Sequence, residues 1–268
     1  MRGRWTVNLL LLILVAALGA AVQRELQGDR HLSTLTDLEP EAIAQIAIER
    51  AGAPVIRLTK AAAGWRMEEP YRVAANGGPI EKLVRICATA VHRSFPESAG
   101  AQRLGLDPAR LRLTLDGLTL RFGGTDPVSQ RRYVGIGDQV HLIGDGFHHY
   151  LLAAAEDYVD RRLLPHGFRP GTATLDGEPL SAEALAGIEG LTAERVEPLG
   201  EELAGRLFSL DAVDGDRSLR FLVSPDGRRW TRLDLRLSYL LGNPPVWALG
   251  DDEPAAIKGR GPAPDQAW

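Results

Sequence analysis

The run VNLLLLILVAALGAAV, Val7 to Val22, holds one polar side chain, Asn8, and no charge. A helix that is apolar on every face belongs in the centre of a large core or in a bilayer, and one at the extreme terminus of a chain fits the second setting better. Arg2 and Arg4 precede the run and Arg24 follows it. A helix from Trp5 to Val22 covers roughly 27 Å, close to the ~30 Å hydrocarbon core. Snorkelling of Arg4 and Arg24 extends that reach, and Trp5 suits the interface.

The run therefore predicts a signal-anchor transmembrane helix within residues 1–24. Its anchoring side chains are Trp5, Leu9, Leu10, Leu11, Leu12, Ile13, Leu14, Val15 and Leu18. Arg2, Arg4 and the amino terminus favour the cytoplasmic side, which makes the expected protein single-pass in the inner membrane with its bulk in the periplasm. A cleaved signal peptide shares this charged start and apolar middle, and Gly19-Ala20-Ala21 offers the small residues of a cleavage point. No cysteine follows the run closely, which excludes a lipoprotein.

About 245 residues follow, enough for one large or two small domains with proper cores. A net charge of −4 provides no basic field, so nucleic acid is not an expected partner. Cys87 is the one cysteine and cannot form an internal disulfide, so in an oxidising compartment stability must come from the core.

The body alternates strands and turns. Residues 25–35 read as a juxtamembrane stalk. Ile43, Ile46 and Ile48 mark a strand, Ala51-Gly52-Ala53 turns it into VIRLTK, and Ala63-Gly64 turns again into Trp65-Arg66-Met67, a meander ended by Pro70. Asn76-Gly77-Gly78-Pro79 opens a helix whose apolar stripe is Ile80, Leu83, Val84, Cys87 and Val91. Leu111, Leu113 and Leu115 alternate with polar residues, Asp116-Gly117 makes a tight hairpin, and Leu118, Leu120 and Phe122 return. Further strands are expected at Arg132–Ile136 and Val140–Ile143, then a helix from Phe147 to Leu164.

From Thr172 a second region begins. It should hold a strand to Leu175, a short helix capped by Ser181, and strands at Arg195–Leu199, Leu207–Ala212, Leu219–Val223 and Trp230–Leu233. Ser224-Pro225-Asp226-Gly227 is a strong turn signal, and Tyr239 to Leu249 reads as an irregular closing segment. The expected fold class is α+β: an N-terminal transmembrane helix, then antiparallel β-meanders packed with two or three helices. Strand, turn, strand, turn, Trp occurs at Ile46 to Trp65 and again at Leu210 to Trp230, a faint echo suggesting two similar sheet units. The expected division is an α+β domain over 36–165, a smaller sheet unit over 171–249, and a disordered tail over 250–268, rich in Pro, Gly, Asp and Ala.

The order of motifs carries a resemblance. An anchor precedes a strand pair ending in Gly64-Trp65, then Pro70 and an amphipathic helix. Next come Leu104-Gly105-Leu106-Asp107-Pro108, the hairpin LRLTLDGLTLRFGG, and Arg132-Tyr133-Val134 leading into a second hairpin. Over roughly Leu35 to Pro165 this resembles the bacterial domain-of-unknown-function family numbered 4340. Members are typically membrane-anchored, and some are encoded beside ABC-type transport components, so the resemblance implies an accessory role at the envelope. It implies no catalytic residues. The helix entry Ala74-Ala75-Asn76-Gly77-Gly78 departs from the usual Ala-Asp start, and the region after Gly171 is shorter than in many members.

Candidate chemistry is sparse. His141, His148 and His149 lie close in sequence but lack the spacing of a metal site, and surface or interface histidines are the better account. Gly135-Ile136-Gly137-Asp138 is a Gly-x-Gly between two strands, hence a hairpin turn and not a phosphate loop. Ser98 lacks the strand-turn-helix setting of a nucleophile. Glu68-Glu69 and Asp251-Asp252-Glu253 read as solvated acidic faces, and Cys87 as a small buried hydrophobe. Trp65, Trp230 and Trp247 read as core anchors and not as a ligand cage. Among the paired arginines, Arg161, Arg162, Arg228 and Arg229 are candidates for contact with anionic lipid or an acidic partner, solvated strand edges being the plainer account.

The expected role is that of a non-enzymatic accessory or scaffold of an envelope complex such as an ABC-type transporter. No catalytic residue, cofactor or metal is expected. The alternative is a periplasmic module binding a glycan, lipid or small molecule in a groove between the two sheet regions.

Overall fold

The computed structural model describes residues 12–20, 33–97, 100–200 and 204–249. The expected anchor residues Trp5, Leu9, Leu10 and Leu11, Ser98, and the tail from Gly250, with its acidic cluster, lie outside them. Residues 12–20 are helical. Among the described residues no helix is long and apolar enough to cross a membrane.

The first sheet has nine strands in the order β4-β3-β2-β1-β6-β7-β8-β9-β5. They are β1 (Gln45–Arg50), β2 (Ile56–Ala61), β3 (Gly64–Glu69), β4 (Val73–Ala74), β5 (Val91–Pro96), β6 (Leu111–Leu115), β7 (Leu118–Thr125), β8 (Arg132–Ile136) and β9 (Gln139–Ile143). The second sheet has seven, in the order β11-β10-β13-β14-β15-β16-β12. These are β10 (Pro170–Leu175), β11 (Glu178–Pro179), β12 (Arg195–Pro198), β13 (Arg206–Ala212), β14 (Ser218–Val223), β15 (Arg229–Arg232) and β16 (Leu237–Leu240). Helices α1 (Gly77–Val84), α2 (His148–Leu152) and α3 (Ala182–Ile188) are short. The α+β class with two antiparallel sheets is what the alternating pattern requires.

The described residues fall into two compact units. One takes those up to Ile43, Ile48–Ala53 and Glu81–Leu151; the other takes Ala44–Ala47, Pro54–Ile80 and those from Leu152 onward.

In the first unit the β6–β7 hairpin turns where expected. Asp116 and Gly117 take φ of 44° and 91°, the pair of left-handed residues that a two-residue hairpin of native twist demands. Its register pairs Leu111 with Phe122 and Leu113 with Leu120, and all four side chains are buried on one face. In the second unit Phe208 pairs with Phe221, Val223 with Trp230, and Trp230 with Tyr239, again on one buried face. Trp230, fully buried, stands 5.0 Å from the Phe208 ring, 5.6 Å from Phe221 and 5.7 Å from Trp247, and its Nε1–H donates to the Gly227 carbonyl at 2.9 Å. An aromatic knot with its one polar atom satisfied is a core anchor. Ser181 caps α3 by accepting from the Ala184 amide at 3.2 Å.

Three expectations are corrected. The amphipathic helix does not reach Val91. After α1 the chain tightens into a 3-10 turn, Arg85–Ala88, and Val91 opens β5. Pairing decides this: Thr34 bridges Ala90 and the Val91 amide donates to the Ser33 carbonyl at 2.9 Å. The helix expected from Phe147 to Leu164 is only α2 and a 3-10 turn, Ala155–Tyr158. The Asp157 carboxylate accepts from the Ala154 amide, which starts the new turn, and Val159 and Asp160 are then claimed by Ala75 and Ala74. Finally, the irregular segment expected from Tyr239 starts two residues later, because Tyr239 and Leu240 complete β16, which pairs with β15 on one side and β12 on the other. The turn before β16 places Arg236 at φ 57°, without the Gly or Asn that usually advertises such a position.

Candidate functional site

One surface depression among the described residues lies in the first unit. Pro96 at the end of β5, Glu97, Gly100, Ala101, Gln102 and Arg103, with Gly137 and Asp138 of the β8–β9 turn, line this depression of about 650 Å³. The Gly-x-Gly of β8–β9 thus contributes a wall as a hairpin turn, with Gly137 at φ 58°.

A bidentate ion pair underlies that wall. The Arg121 guanidinium donates to the two Glu97 oxygens at 2.8 and 2.5 Å, and its Nη2 also reaches the Gly137 carbonyl at 2.8 Å. Both side chains are largely withdrawn from solvent, at 24% and 17% exposure, so the pair is stronger than a surface ion pair. The Arg121 hydrogen bonds hold the Glu97 carboxyl below its ordinary value, and the same contact holds the guanidinium charged. Gly135 makes room for it: a Cβ there would sit 3.1 Å from the Arg121 Nη2. The Glu97 amide donates to the Asp138 carbonyl at 2.8 Å, tying the two walls together.

The lining residues Gly100 to Arg103 run straight into the Leu104-Gly105-Leu106-Asp107-Pro108 motif. This motif is a clip. The Leu104 carbonyl accepts from the Gly124 amide at 2.7 Å, Leu106 is buried, and a Cβ on Gly123 would meet the Leu104 oxygen at 2.2 Å. Arg132 braces the same strand, donating to the Gly123 carbonyl at 2.7 Å and to both Asp145 oxygens at 2.5 and 2.8 Å. The leucine motif, the glycine pair of LRLTLDGLTLRFGG and the arginine of Arg132-Tyr133-Val134 are therefore parts of one structural lock.

Other candidates are occupied structurally. His141 accepts or donates to the Ser94 hydroxyl at 2.9 Å, and burial pushes its imidazole below the ordinary range. His148 and His149 open α2, the His149 ring lying against Tyr150 at a tilt of 43° with centroids 3.8 Å apart. No group of three or more His, Cys, Asp or Glu among the described residues is placed to hold a metal ion. Cys87 is fully buried, its Sγ donating to the Leu38 carbonyl at 3.3 Å, and burial raises its thiol above the usual range. Glu69 pairs with Arg57 at 3.0 Å and Glu68 with Arg66 at 3.3 Å.

The four arginines put forward for partner contact divide. Arg162 is held by Asp160 at 2.5 Å and Arg229 by Glu197 at 3.2 Å. Arg161 and Arg228 are exposed and make no ion pair among the described residues. Of the anchor set, Leu12, Ile13, Leu14, Val15 and Leu18 lie on the helix of residues 12–20 and are 69%, 56%, 56%, 65% and 57% exposed.

Sequence reasoning missed two polar pairs in the second unit. Tyr71 donates a short hydrogen bond to Glu156, and burial, then that bond, drives its phenol strongly upward. Arg232 lies on the buried face of β15, bound to Asp234 at 2.5 Å and stacked 5.8 Å over Phe221. Tyr239 nearby is pushed up to about 12 by burial. These partners are remote in sequence or adjacent only across a turn, so no local spacing signals them.

No curated protein and no solved structure matches the chain. A family model described as "Domain of unknown function (DUF4340)" matches residues 65–216, more than half of the chain. The match starts at Trp65 on β3, takes in the hairpins and the clip, and continues past Pro165 through β10 and β13. The chain belongs to the DUF4340 family.

Proposed function

We propose that this chain is an inner-membrane protein, seated by residues 5–22, whose β-rich body works in the periplasm as a non-enzymatic accessory or scaffold of an envelope complex, for which an ABC-type transporter is the reference case. The observation that carries the reading is the helix of residues 12–20, whose leucine, isoleucine and valine side chains all stand more than half exposed. A wholly apolar helix left uncovered by its own chain is unstable in water, and a bilayer is the solvent that suits it. The body supports the second half. Some of its acids and bases form ion pairs that brace hairpins, such as Arg121 with Glu97 and Arg132 with Asp145, and braced sheets suit a scaffold.

Two measurements test this. Reporter fusions at Trp268 should be active only for a periplasmic reporter, and alkaline carbonate should leave the full chain in the membrane pellet. A chain lacking residues 1–24 that stays in the pellet would remove the anchor. Crosslinking in intact membranes followed by solubilisation should recover a defined envelope partner; recovery of the chain alone, with known complexes intact, overturns the scaffold reading.

A second reading, a binding module for a glycan, lipid or small molecule, is favoured by the depression between Glu97, Arg103 and Asp138.

A further inference from the structure

Outside the helix of residues 12–20, one large hydrophobic side chain stands exposed among the described residues of the first unit: Val128, at 90%. Isolated apolar residues are ordinary on protein surfaces, so exposure alone assigns nothing. The setting of Val128 does. It sits in the β7–β8 turn, which a closed set of bonds holds in shape. The Asp126 amide donates to the Arg131 carbonyl at 2.7 Å and the Gln130 amide to the Asp126 carbonyl at 2.9 Å. The Asp126 carboxylate accepts from the Ser129 amide and hydroxyl at 2.8 and 2.5 Å and from the Tyr133 hydroxyl at 3.0 Å. A turn ordered in advance lowers the cost of any contact it makes, and its one acid is already satisfied. Arg131, at its foot, enters no ion pair among the described residues. At the same end of the sheet Asp145 is taken by Arg132.

The chain enters the sheet level with this turn. Thr125 pairs with Arg132, Arg132 with Ile143, and Ile143 with Val91, whose amide donates to the Ser33 carbonyl at 2.9 Å. Neighbouring strands lie about 4.8 Å apart, which puts Ser33 roughly 14 Å from the Arg132 stem of the turn. Ten residues, 23–32, separate the apolar run from Ser33. Such a segment reaches at most about 36 Å. A body tethered that closely meets a bilayer at an effective concentration of roughly millimolar, so a contact too weak to hold a free protein is populated. The opposite end of the same sheet carries the turns Asp116-Gly117 and Gly137-Asp138. Their acids oppose an anionic surface, and no large hydrophobic side chain is exposed there among the described residues.

We propose that the β7–β8 turn is where the body rests on the bilayer, Val128 entering the interfacial layer and Arg131 facing anionic lipid headgroups. An apolar tip beside a basic residue is the chemistry of a peripheral lipid contact. The proposal rests on the membrane seat of residues 5–22 and adds the orientation that the body takes on it.

The test places the full chain, with methyl-labelled valine and leucine, in nanodiscs of phosphatidylethanolamine and phosphatidylglycerol that carry a headgroup spin label. Relaxation enhancement should be several-fold greater at the Val128 methyls than at those of Leu118, beside the β6–β7 turn. Arg131→Gln should weaken the Val128 enhancement by up to about fivefold, the share of one basic residue at an anionic surface. Nanodiscs without phosphatidylglycerol should weaken it in the parent to the same degree. Enhancement at Val128 no greater than at Leu118, in a chain that incorporates, overturns this contact and leaves the membrane seat standing. An Arg131→Gln chain that matches the parent overturns the role of Arg131. A chain that fails to incorporate removes the seat and the contact together.

Discussion

Replacing Gly123 with alanine tests the clip directly. The added Cβ would lie 2.2 Å from the Leu104 oxygen, 3.1 Å from the Leu106 Cδ2 and 3.2 Å from the Leu104 carbonyl carbon. Contacts below 3.0 Å are not found for real Cβ atoms, so the Leu104 backbone must retreat by on the order of 1 Å. That retreat breaks the 2.7 Å bond from the Gly124 amide and loosens Leu106, now 1% exposed. Overpacking of this kind costs about 1–3 kcal/mol. The lost backbone bond adds about 1 kcal/mol, and partial exposure of Leu106 roughly another 1 kcal/mol. The smaller unfolded-state entropy of alanine returns about 0.4–1 kcal/mol. The net expectation is a loss of about 2–4 kcal/mol, or roughly 4–16 °C in Tm for a body of this size. Thermal unfolding by far-ultraviolet circular dichroism reads the loss, and hydrogen exchange of peptides covering residues 100–125 locates it. Gly144→Ala is the control, since a Cβ there meets nothing within 4 Å. Equal stability of the two variants, or unchanged exchange at residues 100–125, would refute the clip as a steric lock.

Other outcomes follow from the same geometry. Trp230→Ala should lose about 3–5 kcal/mol and most of the near-ultraviolet dichroism, because it empties the centre of the Phe208, Phe221 and Trp247 cluster; an intact aromatic signal would show that another residue organises this core. Cys87 should resist an aqueous disulfide reagent in the folded chain and react with one equivalent in denaturant, since its thiol is buried and its ionisation suppressed. Fast reaction of the native protein would contradict that. Glu97 ionises more readily folded than unfolded, so its pairing with Arg121 contributes full stability above the ordinary glutamate range and loses it as pH falls through the lowered folded value. Glu97→Gln should flatten the acid limb of the stability curve, and an unchanged limb in the variant would remove the pair as its source.

Much of the fold was legible because strands and tight turns are written locally. Leu111, Leu113 and Leu115 alternate, Asp116-Gly117 supplies the left-handed pair, and the period of two names both the strand and its buried face. Where an element depended on a distant partner, local pattern misled. Val91 completes a helical stripe in sequence, yet hydrogen bonds to Ser33 draw it into a sheet. Phe147 to Leu164 is long and apolar enough for a helix, but Ala74 and Ala75 take up its second half.

The candidate site shows the same division. Gly137-Asp138 was recognisable as a turn, and the leucine motif as a compact loop, from residue types alone. Nothing in the chain places Arg121 against Glu97, because that relation crosses strands whose register is set by the whole sheet. The strand pattern, the turn chemistry and the apolar run at the amino terminus are readable from residue order alone, because all of them arise from neighbours along the backbone. Which charges neutralise each other is settled only in three dimensions, since burial and pairing belong to residues brought together when the sheets form over their cores.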